Sequence, residues 1–267
     1  VTGVQTCALP ILHIIPSYAT RLAEVMYEEG IDPRKDTKLH TVCIGAEPHS
    51  EEQRKRIEQL LGVKAYNCFG MSEMNGPGVA FECTEQNGLH IWEDNVIVEI
   101  VDPVTLQPVP EGEVGELVLT TINREAMPLL RYRTRDLTCI LPGDCPCGRT
   151  HKRLARFKGR SDDMIILKGV NLFPIQIEKI LMQFKELGSN YLITLETIGN
   201  SDEMLIEVEL SDLFTDDYSA LQRLTKGITR QLKDELLLTP RIKLVAKGSL
   251  PTTDGKAVRV KDHRKLC

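Results

Sequence analysis

The chain has 267 residues, of which 42% are hydrophobic and 27% are charged, and its formal net charge at pH 7 is −5. This length is typical of two domains rather than of one small domain. The acidic balance and the lack of a long basic run argue against nucleic acid as a partner. No apolar run approaches the roughly 20 residues that a membrane-spanning helix needs, so we predict no membrane partner.

Eight cysteines are scattered through the chain, at positions 7, 43, 68, 83, 139, 145, 147 and 267. Disulfide frameworks are typical of short secreted chains, whereas thiols and metal ligands are typical of longer chains from reducing compartments. The cysteines therefore favour a cytoplasmic protein.

The first ten residues, VTGVQTCALP, lack an initiator Met, a charged segment and a helical period, so they are not a signal peptide. They are either foreign sequence at a truncation point or a disordered terminus, and both alternatives stay open. The first predicted helix begins at Ser17 as its cap and runs to about Glu29, with Gly30 as its stop.

Residues 11–80 alternate between strand and helix patterns. The stretch HTVCIGAEP is typical of a short apolar strand, and VKAYNCF is typical of a second one. Between them, HSEEQRKRIEQLLG predicts a helix with Ser50 as its cap, Gln53 at the capping-box position and Gly62 at its end. This alternation predicts a parallel sheet.

From about residue 88 to 141 the pattern changes to a period of two. NVIVEIVDP and GELVLTTI are strands by this criterion, joined by a loop rich in Pro, Gly and Glu. The pattern predicts an antiparallel, barrel-like part of the first domain.

The remaining residues predict a small α+β domain with the order β-α-β-β-α-β, which is a ferredoxin-like plan. Its first strand is MIILK, its first helix begins at Pro174 and its second at Asp216 or Asp217. The polar stretch FKGRSDD suits a hinge between the two domains. We therefore predict an α/β protein with a leader at 1–10, a large domain at 11–159 and a small mobile domain at 160–267.

The stretch NCFGMSEMNGPGVAFEC contains a carboxylate, Glu73, between an apolar strand and a glycine-rich loop. Ligands of α/β sheets bind at the carboxyl ends of strands. Glu73 there could hold Mg²⁺ together with phosphate oxygens, and Phe69 offers a flat face for a purine. The alternative is a surface turn with a solvated carboxylate.

Three further stretches carry charges that suit a nucleotide. In RYRTRD, Asp136 could accept the hydroxyls of a ribose while the arginines pair with phosphates. GRSDDMIILKGVN contains Arg160 and Asp162 near the domain boundary, and LPTTDGKAVRVKDHRK contains Lys256 in a turn. The alternatives are an edge strand, a charged linker and a solvated basic tail.

Two segments pair cysteine with histidine. GDCPCGRTH and ECTEQNGLHIW each offer two ligands, so together they could close a tetrahedral zinc site of structural type. The predicted ligands are Cys83, His90, Cys145 and Cys147, with His151 as the reserve. The alternative is a set of reduced thiols; Cys43, Cys68 and Cys139 lie in apolar contexts and are expected in the core.

Taken together, six motifs in this order resemble the adenylate-forming acyl-coenzyme A ligases, most closely those that act on phenylacetate-type aryl acids. The resemblance extends from Ile11 to the end of the chain. The matching stretches are GAEPHSEE, NCFGMSEMNGPGVAFEC, GLHIWED, AMPLLRYRTRDLT, GRSDDMIILKGVNLFPIQIE and GSLPTTDGKA.

The resemblance implies roles for individual residues. Those implied to bind the nucleotide and its metal are Gly45, Ala46, Glu47, Pro48, Phe69 and Gly70 at the adenine, Ser72 at the phosphate, Glu73 on Mg²⁺, Asp136 on the ribose, and Arg160. In the small domain, Lys256 bridges the carboxylate and the α-phosphate. Asp162 is the hinge, and Gly169 lines the pantetheine tunnel.

The implied reaction uses ATP to adenylate an aryl acid and then transfers the acyl group to coenzyme A, releasing AMP and pyrophosphate. Two alternatives are a related enzyme that loads a carrier protein, and an inert fragment with a ferredoxin-like binding module. The family resemblance also makes a homodimer reasonable. Because the Ser/Thr/Gly-rich phosphate loop of the family would lie upstream of Ile11, we expect the chain to be the carboxyl-terminal portion of a longer enzyme.

Overall fold

The structure is a computed structural model that describes residues 10–74, 76–199, 201–211, 217–251 and 256–264. It divides into two compact units. The first contains Val1–Pro48 and Ile57–Asp163, and the second contains His49–Arg56 and Met164–Cys267. Within the described ranges, every helix is too short or too polar to cross a membrane.

The first unit contains two sheets. Its strands are β1 (Ile11–Ile14), β2 (Thr41–Gly45), β3 (Lys64–Met71), β4 (Gly76–Glu82), β5 (Leu89–Ile91), β6 (Val96–Val101), β7 (Gly115–Thr121), β8 (Tyr132–Thr138), β9 (Ile140–Leu141), β10 (Arg153–Leu154) and β11 (Gly159–Arg160). Its helices are α1 (Pro16–Glu28), α2 (Pro33–Asp36) and the later part of α3 (Glu51–Leu61).

The larger sheet has seven strands in the order β1-β2-β3-β4-β5-β10-β9. Its first three strands are parallel and the rest are antiparallel. Ile44 of β2 and the α3 residues Ile57 and Leu61 are fully buried in one cluster. Burial of each such side chain contributes about 1.5–3 kcal/mol, and the predicted parallel sheet is confirmed.

The smaller sheet of this unit has four antiparallel strands in the order β11-β8-β7-β6. Leu117 and Leu119 of β7 are fully buried in one cluster with Leu89 and Ile91 of β5. The predicted antiparallel part is therefore confirmed. Its register places Asp136 of β8 opposite Arg160 of β11.

The cap predicted for the first helix is wrong. Helix α1 begins at Pro16, one residue before Ser17, and Ile15 is its N-cap. Proline is favoured in the first turn because it lacks the amide hydrogen that would have no intrahelical partner. Ser17 instead donates its backbone N–H and its hydroxyl to the carboxylate of Glu47, at 3.0 and 2.9 Å.

The glycine-rich stretch after Glu73 is not a loop. Strand β4 begins at Gly76, whose φ of +88° makes the turn, and pairs antiparallel with β3. Strand β1 was also not predicted, since four residues beside an irregular leader give too short a pattern.

The second unit contains α4 and α5 packed on a four-stranded sheet. Its elements are β12 (Ile165–Leu167), β13 (Val170–Leu172), α4 (Pro174–Leu181), β14 (Leu187–Ile198), β15 (Ser201–Leu210), α5 (Tyr218–Leu236), β16 (Arg241–Val245) and β17 (Val260–Asp262). Asp217 caps α5 by accepting from the amide of Ser219, as predicted, whereas Asp216 lies outside the described residues.

The predicted α+β content of this unit is confirmed, but one strand lies elsewhere. The main sheet has the order β16-β15-β14-β17, while MIILK forms β12 and pairs only with β13. Lys168 and Gly169, with φ of 50° and 82°, join the two strands in a two-residue turn. Two-residue turns of this kind need two positive φ values and favour pairing between the strands that they join, so β12 forms a hairpin with β13. The fourth strand of the main sheet is β17 instead.

The start of α3 belongs to the second unit and is capped twice. The hydroxyl of Ser50 accepts from the amide of Gln53 at 3.2 Å, which confirms Ser50 as the cap. The N–H of Ser50 donates to the buried carboxylate of Glu178 at 2.8 Å. Glu178 therefore takes the capping-box role that was predicted for Gln53.

Candidate active site and metal centre

Asp136 and Arg160 meet across two paired strands. Their charged groups are 3.9 Å apart, and Arg160 also holds Asp162 in a fork with contacts of 2.9 and 2.8 Å. The Arg160 guanidinium donates in addition to the carbonyl of Thr134 at 3.3 Å. The structure thus brings Asp136 together with Arg160 and Asp162, which sequence analysis had identified in a different motif.

A bulge in β8 aims Asp136. Glu116 and Val118 of β7 pair with Leu137 and Arg133, so Leu117 faces residues 134–136 of β8. A bulge of this kind bends a strand and re-aims its side chains. Arg135 within it has a φ of 70°, a left-handed conformation that is costly for a residue other than glycine.

Thr134 closes this bulge and was missed by sequence analysis. Its side chain is buried, and its hydroxyl donates to the carbonyl of Leu117 at 3.0 Å and accepts from the N–H of Asp136 at 3.1 Å. A threonine inside a predicted strand gives no sign of such a role, since the signal is a register shift that only the structure supplies.

The pKa of the Asp136 carboxyl is raised above its ordinary value. Burial raises its pKa to about 6, against the opposing effect of the nearby Arg160 guanidinium. Only 18% of the side chain is exposed. Because Arg160 offsets only part of the cost of burial, the ionised Asp136 carboxylate is incompletely stabilised. Hydroxyl groups of a ligand could stabilise it further by donating hydrogen bonds.

The GAEP segment lies at the carboxyl end of β2. A Cβ on Gly45 would stand 2.2 Å from the carbonyl oxygen of Cys68, so only glycine fits there. Ala46 follows with a φ of 65°, and Pro48 is exposed. Glu47, expected near adenine, uses both carboxylate oxygens to hold the start of α1.

The end of β3 is half-buried, and the short 3-10 helix after it carries exposed side chains. Half-buried Phe69 packs on Phe157 with ring centroids 4.4 Å apart, and Gly70 follows it in the strand. Ser72 and Glu73 are exposed in a short 3-10 helix, Ser72–Met74. The Glu73 carbonyl accepts from the guanidinium of Arg124, which leaves its carboxylate as the group that a ligand could use.

The remaining predicted residues belong to the second unit, apart from the hinge residue Asp162. Gly169 lies at the exposed tip of the β12–β13 hairpin, and Lys256 is exposed shortly before β17. The rest of the predicted turn, Asp254–Gly255, lies outside the described residues, as does most of the leader 1–10. The last of the passages of the chain from the first unit to the second lies between Asp163 and Met164.

Four predicted metal ligands come together in the first unit. The donor atoms of Cys83, His90, Cys145 and Cys147 all lie within 4.8 Å of one another. The sulfurs of Cys83 and Cys145 are 3.7 Å apart, and the Cys147 sulfur is 3.4 Å from Nε2 of His90. Tetrahedral zinc needs separations of about 3.8 Å between sulfurs and about 3.6 Å between sulfur and nitrogen, so the donor set fits this ion.

His90 is oriented for coordination through Nε2. Its Nδ1 lies 3.3 Å from the carbonyl oxygen of His151, which fixes the proton on Nδ1. Burial lowers the pKa of His90, which favours the neutral imidazole that a metal requires. His151, the reserve ligand, thus contributes its backbone rather than its ring.

Two family profiles match the chain. The profile described as "AMP-binding enzyme" matches residues 3–123, and "AMP-binding enzyme C-terminal domain" matches residues 169–264. The chain therefore belongs to the AMP-binding enzymes, which confirms the resemblance found in the six motifs.

Its curated relatives are phenylacetate-coenzyme A ligases. The one from Thermus thermophilus is 42% identical over 270 residues, covering 96% of this chain and 60% of that protein. The one from Pseudomonas putida is 43% identical over 256 residues, covering 95% of this chain and 57% of that protein. The chain thus spans about three-fifths of the length of these relatives.

A solved structure is also similar. A 2-hydroxyisobutyryl-CoA ligase, crystallised in the postadenylation state in complex with R3-HIB-AMP, is 32% identical to this chain. It matches with a TM-score of 0.88 over 95% of this chain and 54% of that one. The fold predicted from the sequence is confirmed by this match.

Proposed function

We propose that the complete protein is an ATP-dependent aryl-acid–coenzyme A ligase acting on phenylacetate or a close relative. The observation that carries the proposal is the Asp136–Arg160 pair, a partly buried carboxylate aimed by a bulge and held beside a guanidinium. The names of the relatives and the acyl adenylate in the 2-hydroxyisobutyryl-CoA ligase structure support the same chemistry.

The first half-reaction joins a carboxylate to the α-phosphate of ATP and releases pyrophosphate. Both reactants are anionic, so positioned cations supply most of the catalysis. In this proposal Asp136 accepts the ribose hydroxyls, Arg160 contacts the nucleotide, and Lys256 bridges the acid carboxylate and the α-phosphate. Gly45–Pro48, Phe69 and Gly70 border the adenine.

Mg²⁺ is part of the proposal through Glu73. One exposed carboxylate suits this ion, because Mg²⁺ is usually held by one or two carboxylates and by substrate phosphates. Glu73 would hold the ion, whose charge would offset that of the phosphates. Ser72, in the same 3-10 helix, donates its hydroxyl to a phosphate oxygen in this scheme.

The second half-reaction transfers the acyl group from AMP to the thiol of coenzyme A. We propose that Lys256 leaves the adenylate before the thiol enters. A small domain, 160–267, turning about Asp162 relative to 11–159, makes this exchange possible. Gly169 then lines the path of the pantetheine arm.

We further propose that Cys83, His90, Cys145 and Cys147 bind one structural zinc. With four protein ligands the ion has no open position for a substrate, so it stabilises the fold instead of catalysing. A cytoplasmic location suits these thiols, and we expect the complete protein to be a homodimer, which light scattering of the purified protein tests.

The function is tested with the complete gene product. Pyrophosphate release from ATP should require an aryl acid, and thioester formation should require free coenzyme A. Lys256→Ala should cripple adenylation yet spare thioester formation from a supplied acyl adenylate, while Lys261→Ala, a matched change in the same basic segment, leaves both steps intact. Acid-independent release, or turnover only with a carrier protein, contradicts the proposal.

A further inference from the structure

The segment that carries Lys256 is anchored before that residue by the buried carboxylate of Glu209, and after it through Asn190, which bonds to the same carboxylate. Glu209 of β15 is only 6% exposed. Its Oε1 accepts the backbone N–H of Leu250 at 2.8 Å and the side-chain amide of Asn190 at 3.2 Å. Leu250 precedes Lys256 in the chain, so the first anchor lies on its amino-terminal side.

The second anchor lies just after Lys256. Arg259 donates to Oδ1 of Asn190 at 2.8 Å and to the carbonyl of Tyr191 at 3.4 Å. Its guanidinium also stacks 4.6 Å from the centre of the buried Tyr191 ring. Asn190 therefore joins Arg259 to Glu209, and both anchors meet at a single carboxylate.

We propose that Glu209, Asn190 and Arg259 form a clasp that positions Lys256 for adenylation. The inference rests on the role of Lys256 in the proposed function, and the three clasp residues act through that lysine. A lysine side chain has four rotatable bonds, so holding its ammonium near a reacting phosphate requires a fixed backbone. Two anchors on either side of Lys256 fix the backbone before and after it, which lowers the entropy cost of positioning its side chain.

The clasp explains why a charged residue, Glu209, is buried in the sheet. An apolar residue would fill the Glu209 position in the sheet interior at lower desolvation cost, because a buried carboxylate is stable only when its bonds are made. Glu209 makes bonds to Leu250 and Asn190. Glu207 lies on the same face of the strand. Within the described residues, the one hydrogen-bond partner of its side chain is the exposed Lys243 of the adjacent strand.

Glu209→Ala and Glu209→Gln in the complete gene product test the clasp. Alanine removes both acceptor bonds, whereas glutamine keeps the Oε1 acceptor. We expect Glu209→Ala to lower the kcat of adenylation by roughly 10- to 100-fold, with KM for ATP within about twofold and thioester formation from supplied acyl adenylate unchanged. Glu209→Gln should restore most of the adenylation rate, and Asn190→Ala should show the same split more weakly.

Glu207→Ala is the matched control and should leave both half-reactions unchanged. Equal loss of both half-reactions, no rescue by glutamine, or adenylation by Glu209→Ala at the rate of the control overturns the clasp.

A second measurement does not depend on activity. In the chain itself, Glu209→Ala should speed hydrogen exchange at the Leu250 amide by at least tenfold over Glu207→Ala. If the complete wild-type protein forms no adenylate while this exchange changes as expected, the proposed function fails and the anchor stands. Unchanged exchange overturns the anchor whatever the activity.

Discussion

Asp136→Asn should make the chain more stable while weakening nucleotide binding. The pKa of this carboxyl rises from its ordinary 3.8 to about 6, chiefly because the group is buried. A shift of about two pKa units corresponds to about 3 kcal/mol of free energy, since each unit is worth about 1.4 kcal/mol. Asparagine resembles the protonated acid in shape and carries no charge, so this destabilising contribution is absent from the variant.

The stability difference between the wild type and Asp136→Asn should depend on pH. Between pH 3.8 and 6 the folded chain holds a proton on Asp136 that the unfolded chain has released. The free energy of unfolding of the wild type therefore falls, relative to the variant, as pH rises through this window. Above about pH 7 the variant should be more stable by about 3 kcal/mol, and near pH 4 the two should be nearly equal.

Urea unfolding of the chain at pH 4.5 and pH 8, followed by tryptophan fluorescence, measures this difference. The single tryptophan, Trp92, belongs to the same unit as Asp136 and reports its unfolding. Asp102→Asn is the contrasting control, because hydrogen bonds from Thr105 and Val104 lower the pKa of Asp102. That variant should lose stability at pH 8.

A wild type as stable as Asp136→Asn at pH 8, or an equal gain at both pH values, would refute the burial argument. Nucleotide binding adds a second check. Ribose hydroxyls donate to the ionised carboxylate, so AMP affinity of the complete protein should fall as pH drops below about 6. The asparagine variant should bind AMP weakly at every pH.

Gly45→Ala should destabilise the chain by about 1–3 kcal/mol, since the new Cβ would collide with backbone; Gly78→Ala, where nothing lies within 4 Å, is the control in the same urea titration. Purified chain should contain one zinc per molecule by elemental analysis, and Cys147→Ser should release it and lower the thermal midpoint; an unchanged metal content contradicts the site. Glu47→Gln should cost about 0.5–2 kcal/mol by weakening the cap on Ser17, and equal stability at pH 7 would show that the carboxylate is dispensable.

Local patterns predicted much of the first unit. The periodic apolar residues of α3, with Ser50 before them and Gly62 after them, predicted a helix between two apolar strands. Such signals are readable because a helix cap and an apolar period each involve only a few neighbouring residues. The cysteine and histidine pairs were equally visible, since each pair is close in sequence. The structure adds the distances that fit a tetrahedral ion.

Long-range pairings were not predictable in the same way. The carboxylate of Glu47 caps a helix that begins at Pro16, and no local motif connects the two. In Gly76–Glu82 the glycines and proline suggested a loop, yet pairing with β3 outweighed local propensity. The β12–β13 hairpin was within reach of sequence analysis, because Lys168–Gly169 between two apolar runs is a two-residue turn candidate.

The unfavourable features around Asp136 together support its functional importance. Arg135 has a left-handed backbone that costs roughly 1–2 kcal/mol. The strand departs from regular pairing at the same point. Partial burial of the Asp136 carboxyl also disfavours its charged form. Thr134 and Arg160 hold this arrangement through hydrogen bonds to the bulge. A neutral side chain on a regular strand would serve folding better, so these features support the role proposed above for the carboxylate in binding a ligand.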